Sequence, residues 1–332
     1  MTVGGMRGEK ISAMSIAAFR EEETLAYGHR SCPACGAAAD RSHPVVRSAT
    51  SACDVPFTSL QPQWYGFFSE KALFPYHRCD ECGMLYSPTY FTNAQLERLY
   101  ASMPPNMVEA TDSALSRTQL GYFRELAKVS NLTGELLEIG PDIGLFAQYC
   151  VKYGSFAKYW MFEPNVAAHD GLRANLHGAP NVISTSISDF SSVPDAAIST
   201  IVMIHVLDHM LEPVRFLRQF REKVRPDAIL LIVTHDEGSF MASSLKSRWP
   251  AYCLQHPHLF RPQTMSKTLK AAGFETVRTV RSTNYFPLTY LLKHALYLTT
   301  RRKVDLPLWP SLQVPVKLGN IITIARPSRQ PQ

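Results

Sequence analysis

Seven short apolar runs occupy the last three-fifths of the chain, at 136–139, 159–162, 181–183, 198–204, 228–234, 274–280 and 319–325, and helical patterns separate most of them. That alternation predicts a doubly wound α/β sheet with helices on its faces. The helix after the first run is marked by Ile143, Phe146, Ala147, Cys150 and Val151, which fall at i, i+3, i+4, i+7 and i+8 and make one apolar stripe. Further helices are expected around Ser15 to Tyr27, over Thr92 to Ala101 with Pro104-Pro105 ending it, and over Asp112 to Val129. In the helix expected from Glu212 to Val224, Leu217, Phe220 and Val224 share one face, and Arg215, Arg218 and Arg221 a solvated one.

The last connection is different in kind. About forty residues separate the run at Phe274 from the one at Asn320, and Phe286 to Lys303 reads as an apolar helix followed by three cations. A lid, a dimer contact or a membrane-surface element would all use such a segment; the short helix and small basic cluster favour the first two.

Where the first run ends, L-L-E-I-G-P-D-I-G from Leu136 to Gly144 hands a strand to a helix through two glycines four apart, a turn tight enough for a ligand to touch the backbone. Ligands of open α/β sheets sit beyond the carboxyl ends of the strands, so the residues at those ends are the candidates. They are Glu138, Gly140, Asp142 and Gly144 after the first strand, Glu163 after the second, Asp189 after the third, and His205, Asp208 and His209 after the fourth. Glu163 stands nineteen residues past Gly144, where an acid accepts both hydroxyls of a ribose. Asp189 stands where an adenine amine would donate. A nicotinamide dinucleotide is disfavoured: position 145 is not glycine, and Asp142 would crowd a pyrophosphate, whereas a cationic amino-acid headgroup tolerates that acid.

Composition narrows the class only mildly. At 332 residues and 45% hydrophobic, the chain has room for one large domain and a small one. The net charge of +6 is scattered, with Arg301-Arg302-Lys303 the one run, so nucleic acid is not indicated as a partner. No apolar run reaches transmembrane or signal-peptide length, and a cytoplasmic location is expected. Seven cysteines include two C-x-x-C pairs, Cys32/Cys35 and Cys79/Cys82, each followed by glycine. An odd total with this pairing argues for a closed, structural four-thiolate zinc site and against a disulfide framework.

Taken together, E-I-G-P-D-I-G, Glu163 and V-L-D-H-M-L-E-P at Val206 to Pro213 resemble the class I S-adenosylmethionine-dependent methyltransferases over residues 110–328, with Asp142 in place of the usual middle glycine. The resemblance implies a Rossmann-like seven-stranded sheet with its last strand antiparallel. It implies that Gly140 and Gly144 admit the methionine portion, that Glu163 holds the ribose, and that Asp189 lies near the adenine; Glu138, Asp142 and His205 complete the expected cofactor site.

With the four-cysteine region added, the chain resembles the sugar C-methyltransferases of deoxysugar and polysaccharide pathways. On that resemblance L-Y-A-S at Leu99 to Ser102 and Y-C-L-Q-H-P-H-L-F at Tyr252 to Phe260 supply the chemistry. His256 is then the candidate base, with Gln255 where a glutamate is usual, and His258, His209 and Tyr100 are further candidates; His235-Asp236 after the fifth strand is another pair at the right edge. The expected organisation is an extension at 1–30, a zinc-binding domain at 31–105, and a methyltransferase domain at 106–332 with a helical lid at about 284–318. The expected acceptor is a small molecule such as a nucleotide-linked sugar, and a homodimer is allowed. An RNA base methyltransferase and a non-catalytic partner subunit are the alternatives. The first is disfavoured because the cysteine region holds few cations and no basic-aromatic interleaving.

Overall fold

The structure is a computed structural model that describes residues 27–64, 72–101, 112–300 and 312–328. The helix expected around 15–27 (Tyr27 apart), the Pro104-Pro105 stop and the cations at 301–303 lie outside the described residues.

Each apolar run forms a strand of one sheet: β1 Thr133–Ile139, β2 Ser155–Phe162, β3 Asn181–Ser184, β4 Ile198–Ile204, β5 Val224–His235, β6 Phe274–Arg281 and β7 Asn320–Pro327. Their order is β6-β7-β5-β4-β1-β2-β3. β1 to β5 pair in parallel, and β7 runs antiparallel between β5 and β6, as expected.

Both faces of the sheet are covered, which explains why its strands read as near-continuous apolar runs. Leu137 and Ile139 pack with Trp160, Phe162, Ile201 and Met203 on one side. Leu136 packs with Tyr159, Met161, Val202 and Leu231 on the other. Each such fully buried side chain contributes about 1.5–3 kcal/mol. The chain runs outward from β1 to β3 and then returns to place β4 against β1, so a crevice opens between the carboxyl ends of β1 and β4.

Helices α1 Asp112–Ala127, α2 Ala147–Tyr153, α3 His169–Asn175, α4 Pro213–Gln219, α5 Pro262–Ala271 and α6 Leu288–Thr300 accompany the sheet. The stripe expected after β1 is partly right: Phe146, Ala147 and Cys150 are buried, but the helix begins at Ala147. Gly144 has φ +81°, outside the helical region, so Ile143 belongs to the turn. The long last connection holds more than a helix. Strand Asn284–Pro287 pairs antiparallel with Gln313–Val316, and α6 lies between them. This hairpin rests on α1, where Tyr285 N–H donates to Thr118 Oγ1 at 2.8 Å and Asn284 Nδ2 to Tyr122 Oη at 3.1 Å. No helix among the described residues is long and apolar enough to cross a membrane.

The cysteine region builds a second, four-stranded antiparallel sheet in the order His258–Leu259, Leu85–Tyr86, Tyr76–Cys79, Ser42–Val46. Its first strand comes from the stretch after β5. Glu237, two residues past β5, fastens this junction. Its buried carboxylate accepts from Arg78 at 2.9 and 3.1 Å and from Arg261 at 2.6 and 2.7 Å. Lys267 of α5 adds a bond to the Cys82 carbonyl at 2.8 Å.

Breaking a buried ion cluster by neutralising one member leaves the others uncompensated. Glu237→Gln is expected to lower stability by about 3 kcal/mol, read as a fall in the urea midpoint. An unchanged midpoint would show that the junction does not depend on this carboxylate.

Candidate active site

The turn after β1 is built on left-handed backbone at three residues: Gly140 (φ +66°), Asp142 (φ +51°) and Gly144 (φ +81°). A Cβ on Gly140 would stand 2.7 Å from Val206 Cγ2, and one on Gly144 2.8 Å from Leu172 Cδ1. Both glycines are therefore also needed where the turn packs against the protein itself. Asp142 replaces a glycine of the family pattern at a position that still demands positive φ, and aspartate is among the few side chains that tolerate it.

Three carboxyl groups gather here. Glu163 accepts from Asp142 N–H through Oε2 and from Asn165 N–H through Oε1, both at 2.8 Å, so its carboxylate is held in one orientation. Glu138 is 2% exposed, and its Oε2 has no hydrogen-bond partner. Burial, and then the nearby Glu163, push the Glu138 pKa up to about 8. Burial also raises Asp142 and Glu163, and Asp142 adds repulsion at Glu163 while His169 opposes it.

Asp189 is placed differently. It lies exposed beyond β3, accepting from Ser191 N–H at 3.0 Å, and its bonds to Ser191 lower its pKa.

A second cluster lies where β4 and β5 end. His205 has φ +52° and a ring 4.6 Å from that of His235; its Nε2 faces Asn320 at 3.4 Å and its buried Nδ1 has no partner. Asp208 is fully buried. Its Oδ2 accepts from His235 Nδ1 at 2.6 Å and from His235 N–H at 3.2 Å, while its Oδ1 has no hydrogen bond. Rings of His209 and His256 stand 4.7 Å apart, and those of His235 and His256 4.6 Å. His256 Nδ1 donates to the Ala251 carbonyl at 2.7 Å, with Cys253 Sγ at 3.3 Å. Tyr100 Oη meets His209 Nδ1 at 3.3 Å, although the residue as a whole is 40% exposed.

Burial depresses His205 and His209 to about 3 and lowers His235 as well. For His256 burial acts downward too, but Cys253, Asp208 and the Ala251 carbonyl outweigh it and raise the group to about 9. At Asp208 burial acts upward, and the hydrogen bond and charge of His235 overcome it and hold the carboxyl well below its usual range. Burial of its hydroxyl end raises Tyr100.

His258 stands apart from this group. Its Nε2 donates to the Leu207 carbonyl at 3.1 Å and its Nδ1 faces Arg30 at 3.5 Å, so both nitrogens are occupied in tying the cysteine region to the turn after β4. Gln255 also points elsewhere, donating to the Trp64 carbonyl at 2.8 Å. Cys253 is a member of the cluster that the sequence did not single out, since a lone cysteine carries no spacing signal.

The four paired cysteines converge. Cys32 Sγ and Cys82 Sγ are 3.5 Å apart, and Cys35 Sγ and Cys79 Sγ 3.6 Å. Gly36 and Gly83, at φ +77° and +82°, close two equivalent turns by donating to the Cys32 and Cys79 carbonyls. Four 2.3 Å bonds in a tetrahedron place sulfurs about 3.8 Å apart, so the set suits zinc with little movement.

A protein family described as a methyltransferase domain matches residues 115–279. The chain is an S-adenosylmethionine-dependent methyltransferase. The methyltransferase shows the class I fold in its strand order and antiparallel β7. No curated protein matches it. Among solved structures it is similar to a SAM-dependent methyltransferase of Thermotoga maritima at 15% identity, covering 65% of this chain and 91% of that one with a TM-score of 0.43. A SAM-dependent methyltransferase of Aquifex aeolicus gives 15%, 63%, 92% and 0.43. The 1,6-didemethyltoxoflavin-N1-methyltransferase of Burkholderia thailandensis, with 1,6-didemethyltoxoflavin and S-adenosylhomocysteine bound, gives 15%, 66%, 80% and 0.41.

The raised pKa of Glu138 makes this methyltransferase sensitive to pH. Its carboxyl titrates at about 8 when folded, against an ordinary value of 4.5. The folded state thus favours the protonated form, and stability is lost as pH rises from 4.5 to about 8. Glu138→Gln is expected to match the wild type below pH 4.5 and to exceed it by a few kcal/mol, to order of magnitude, above pH 8. Parallel unfolding curves across that range would refute the assignment.

Proposed function

We propose that the methyltransferase binds S-adenosylmethionine over the turn from Gly140 to Gly144 and methylates a small-molecule acceptor at the carboxyl ends of β4 and β5. The observation that carries this reading is the trio Glu138, Asp142 and Glu163. All three acids are raised by burial, Glu138 also by the charge of Glu163 and Glu163 also by that of Asp142, and a buried oxygen of Glu138 has no hydrogen-bond partner. Such a site is complementary to a cation, and the ammonium and sulfonium of S-adenosylmethionine supply one. Glu163, held by two backbone N–H groups, keeps lone pairs for the ribose hydroxyls. Gly140, Gly144 and His205 shape the backbone around the methionine portion, and Asp189 is the outer residue on the adenine side.

The cofactor supplies an electrophilic methyl group. The chain's part is to align the acceptor with it and to take up the acceptor's proton. Tyr100, His209 and His256, gathered with Asp208 and His235, are the groups we assign to that task. His258 serves to position the stretch that carries His256. The resemblance to sugar C-methyltransferases supports a nucleotide-linked sugar or a related biosynthetic intermediate as the acceptor. The exposed Leu292 and Leu296 on α6 support a lid or a homodimer contact.

Cys32, Cys35, Cys79 and Cys82 hold a structural zinc ion in this reading, at the core of a module spanning about residues 31–105. Because the strand His258–Leu259 completes that module's sheet, the zinc steadies the acceptor side of the methyltransferase domain at 106–332.

Glu163→Ala is expected to weaken S-adenosylmethionine binding at least tenfold by calorimetry, since each hydrogen bond to a charged group is worth about 1.5–3 kcal/mol. Unchanged affinity would remove the cofactor assignment. Cys79→Ser is expected to lose one equivalent of zinc per chain and to speed amide exchange at Tyr76–Cys79 and His258–Leu259. Retained zinc and unaltered exchange would sink the structural-zinc reading.

A further inference from the structure

Beyond the cofactor and the four-cysteine ion, we propose a second metal site: Asp208, His209 and His256 bind a divalent first-row transition cation such as Zn2+ at the carboxyl ends of β4 and β5. One ligand atom from each residue falls within 4.8 Å of the others, in a buried cluster more than a hundred residues from the nearest paired cysteine in sequence.

The other polar atoms of these side chains are already engaged. Asp208 Oδ2 is held by the ring and the backbone of His235 at 2.6 and 3.2 Å, which leaves Oδ1 buried without a hydrogen bond. His256 Nδ1 is fixed on the Ala251 carbonyl at 2.7 Å, which leaves Nε2. His209 Nδ1 meets Tyr100 Oη at 3.3 Å, and its Nε2 points toward Asp208 Oδ1 at 4.0 Å. Every candidate ligand therefore has its far atom oriented by a carbonyl, a hydroxyl or an imidazole, which is how metal-binding histidines and carboxylates are aimed.

Bonds of 2.0–2.2 Å put neighbouring ligand atoms about 3.0–3.5 Å apart, so a shift of roughly 1 Å in side chains would close the set. A buried carboxylate oxygen with no donor is costly, and a cation satisfies it. Two imidazoles and one carboxylate suit Zn2+ and its first-row neighbours better than Mg2+ or Ca2+, which take oxygen ligands. Three protein ligands also leave coordination positions open, as catalytic sites do and closed four-cysteine sites do not. An acceptor oxygen would fit there, and binding to the cation would lower its pKa. His209 and His256 would then act as ligands, and Tyr100 would remain beside the acceptor.

The test uses the full chain stripped of metal with a chelator, re-equilibrated with Zn2+, gel-filtered and assayed by mass spectrometry of the metal. Two equivalents per chain are expected for the wild type, and one each for Asp208→Asn and Cys79→Ser. One equivalent or fewer in the wild type, or two in Asp208→Asn, would overturn the site. Cobalt on the wild-type chain gives a second reading that does not depend on either variant folding. Two bound Co2+ ions, of which only one shows thiolate charge-transfer absorption, support the proposal; both showing it, or only one bound, refutes it. Calorimetry with S-adenosylmethionine on the stripped protein reports on the cofactor assignment separately, so failure of the metal site and failure of the methyltransferase reading are distinguishable.

Discussion

Glu237 is the point on which the two halves of this molecule turn. A carboxylate that is almost wholly buried needs compensation, and it receives four hydrogen bonds from Arg78 and Arg261. Arg78 lies on one of the two inner strands of the cysteine sheet, and Arg261 precedes α5. Because Glu237 itself stands two residues past β5, the clamp sets where the cysteine sheet stands relative to the strand ends. The stretch from Tyr252 to Phe260 then has a fixed path, with His258 and Leu259 added as a strand beside Leu85 and Tyr86. His256 is delivered to His209 and His235 by that path. A site on loops gains rigidity when both ends of the loop are tied to regular structure, and here the second tie comes from a different region of the chain.

The seven strands were legible as apolar runs because a sheet covered on both faces leaves no polar alternation to confuse the pattern. Helix positions were legible to within a few residues. The start of α2 was misplaced because Ile143 keeps the helical spacing while Gly144 departs from helical backbone, and a periodicity count cannot see φ. The antiparallel last strand comes from the family resemblance, and the strand order from the structure alone, since pairing between β4 and β1 depends on contacts far apart in sequence. The pairing of Asn284–Pro287 with Gln313–Val316 was not anticipated, because the strands are short and a proline ends the first.

Site residues divide along the same line. Gly140, Asp142, Gly144 and Glu163 sit at fixed offsets around one strand-turn-helix-strand unit, so local spacing marks them as candidates. The cysteines are found for a similar reason, two identical knuckles with glycine after each. The histidine cluster draws on residues 100, 205–209, 235, 253 and 256, and no spacing rule links them. Residue type alone did not separate His258, with both nitrogens occupied, from His256, with one free. The roles of Arg78 and Glu237 were equally hidden, because an ion pair between residues 159 positions apart leaves no trace in either neighbourhood.

If the turn holds the cofactor as proposed, its acids set function against stability. Glu138, Asp142 and Glu163 repel one another or suffer from burial, and a protein selected for stability alone would place a neutral side chain at Glu138. A cationic ligand reverses the balance, since it favours the ionised form of Glu138 and pairs with the carboxylates beside it, and its binding adds stability that grows with its affinity. On the proposed reading, the electrostatic cost is present before the cofactor arrives and is relieved by it, so part of the binding energy comes from removing repulsion already built into the turn. Asp142 then has a role that glycine lacks: it accepts the left-handed backbone the turn requires and adds one more negative group facing the cation.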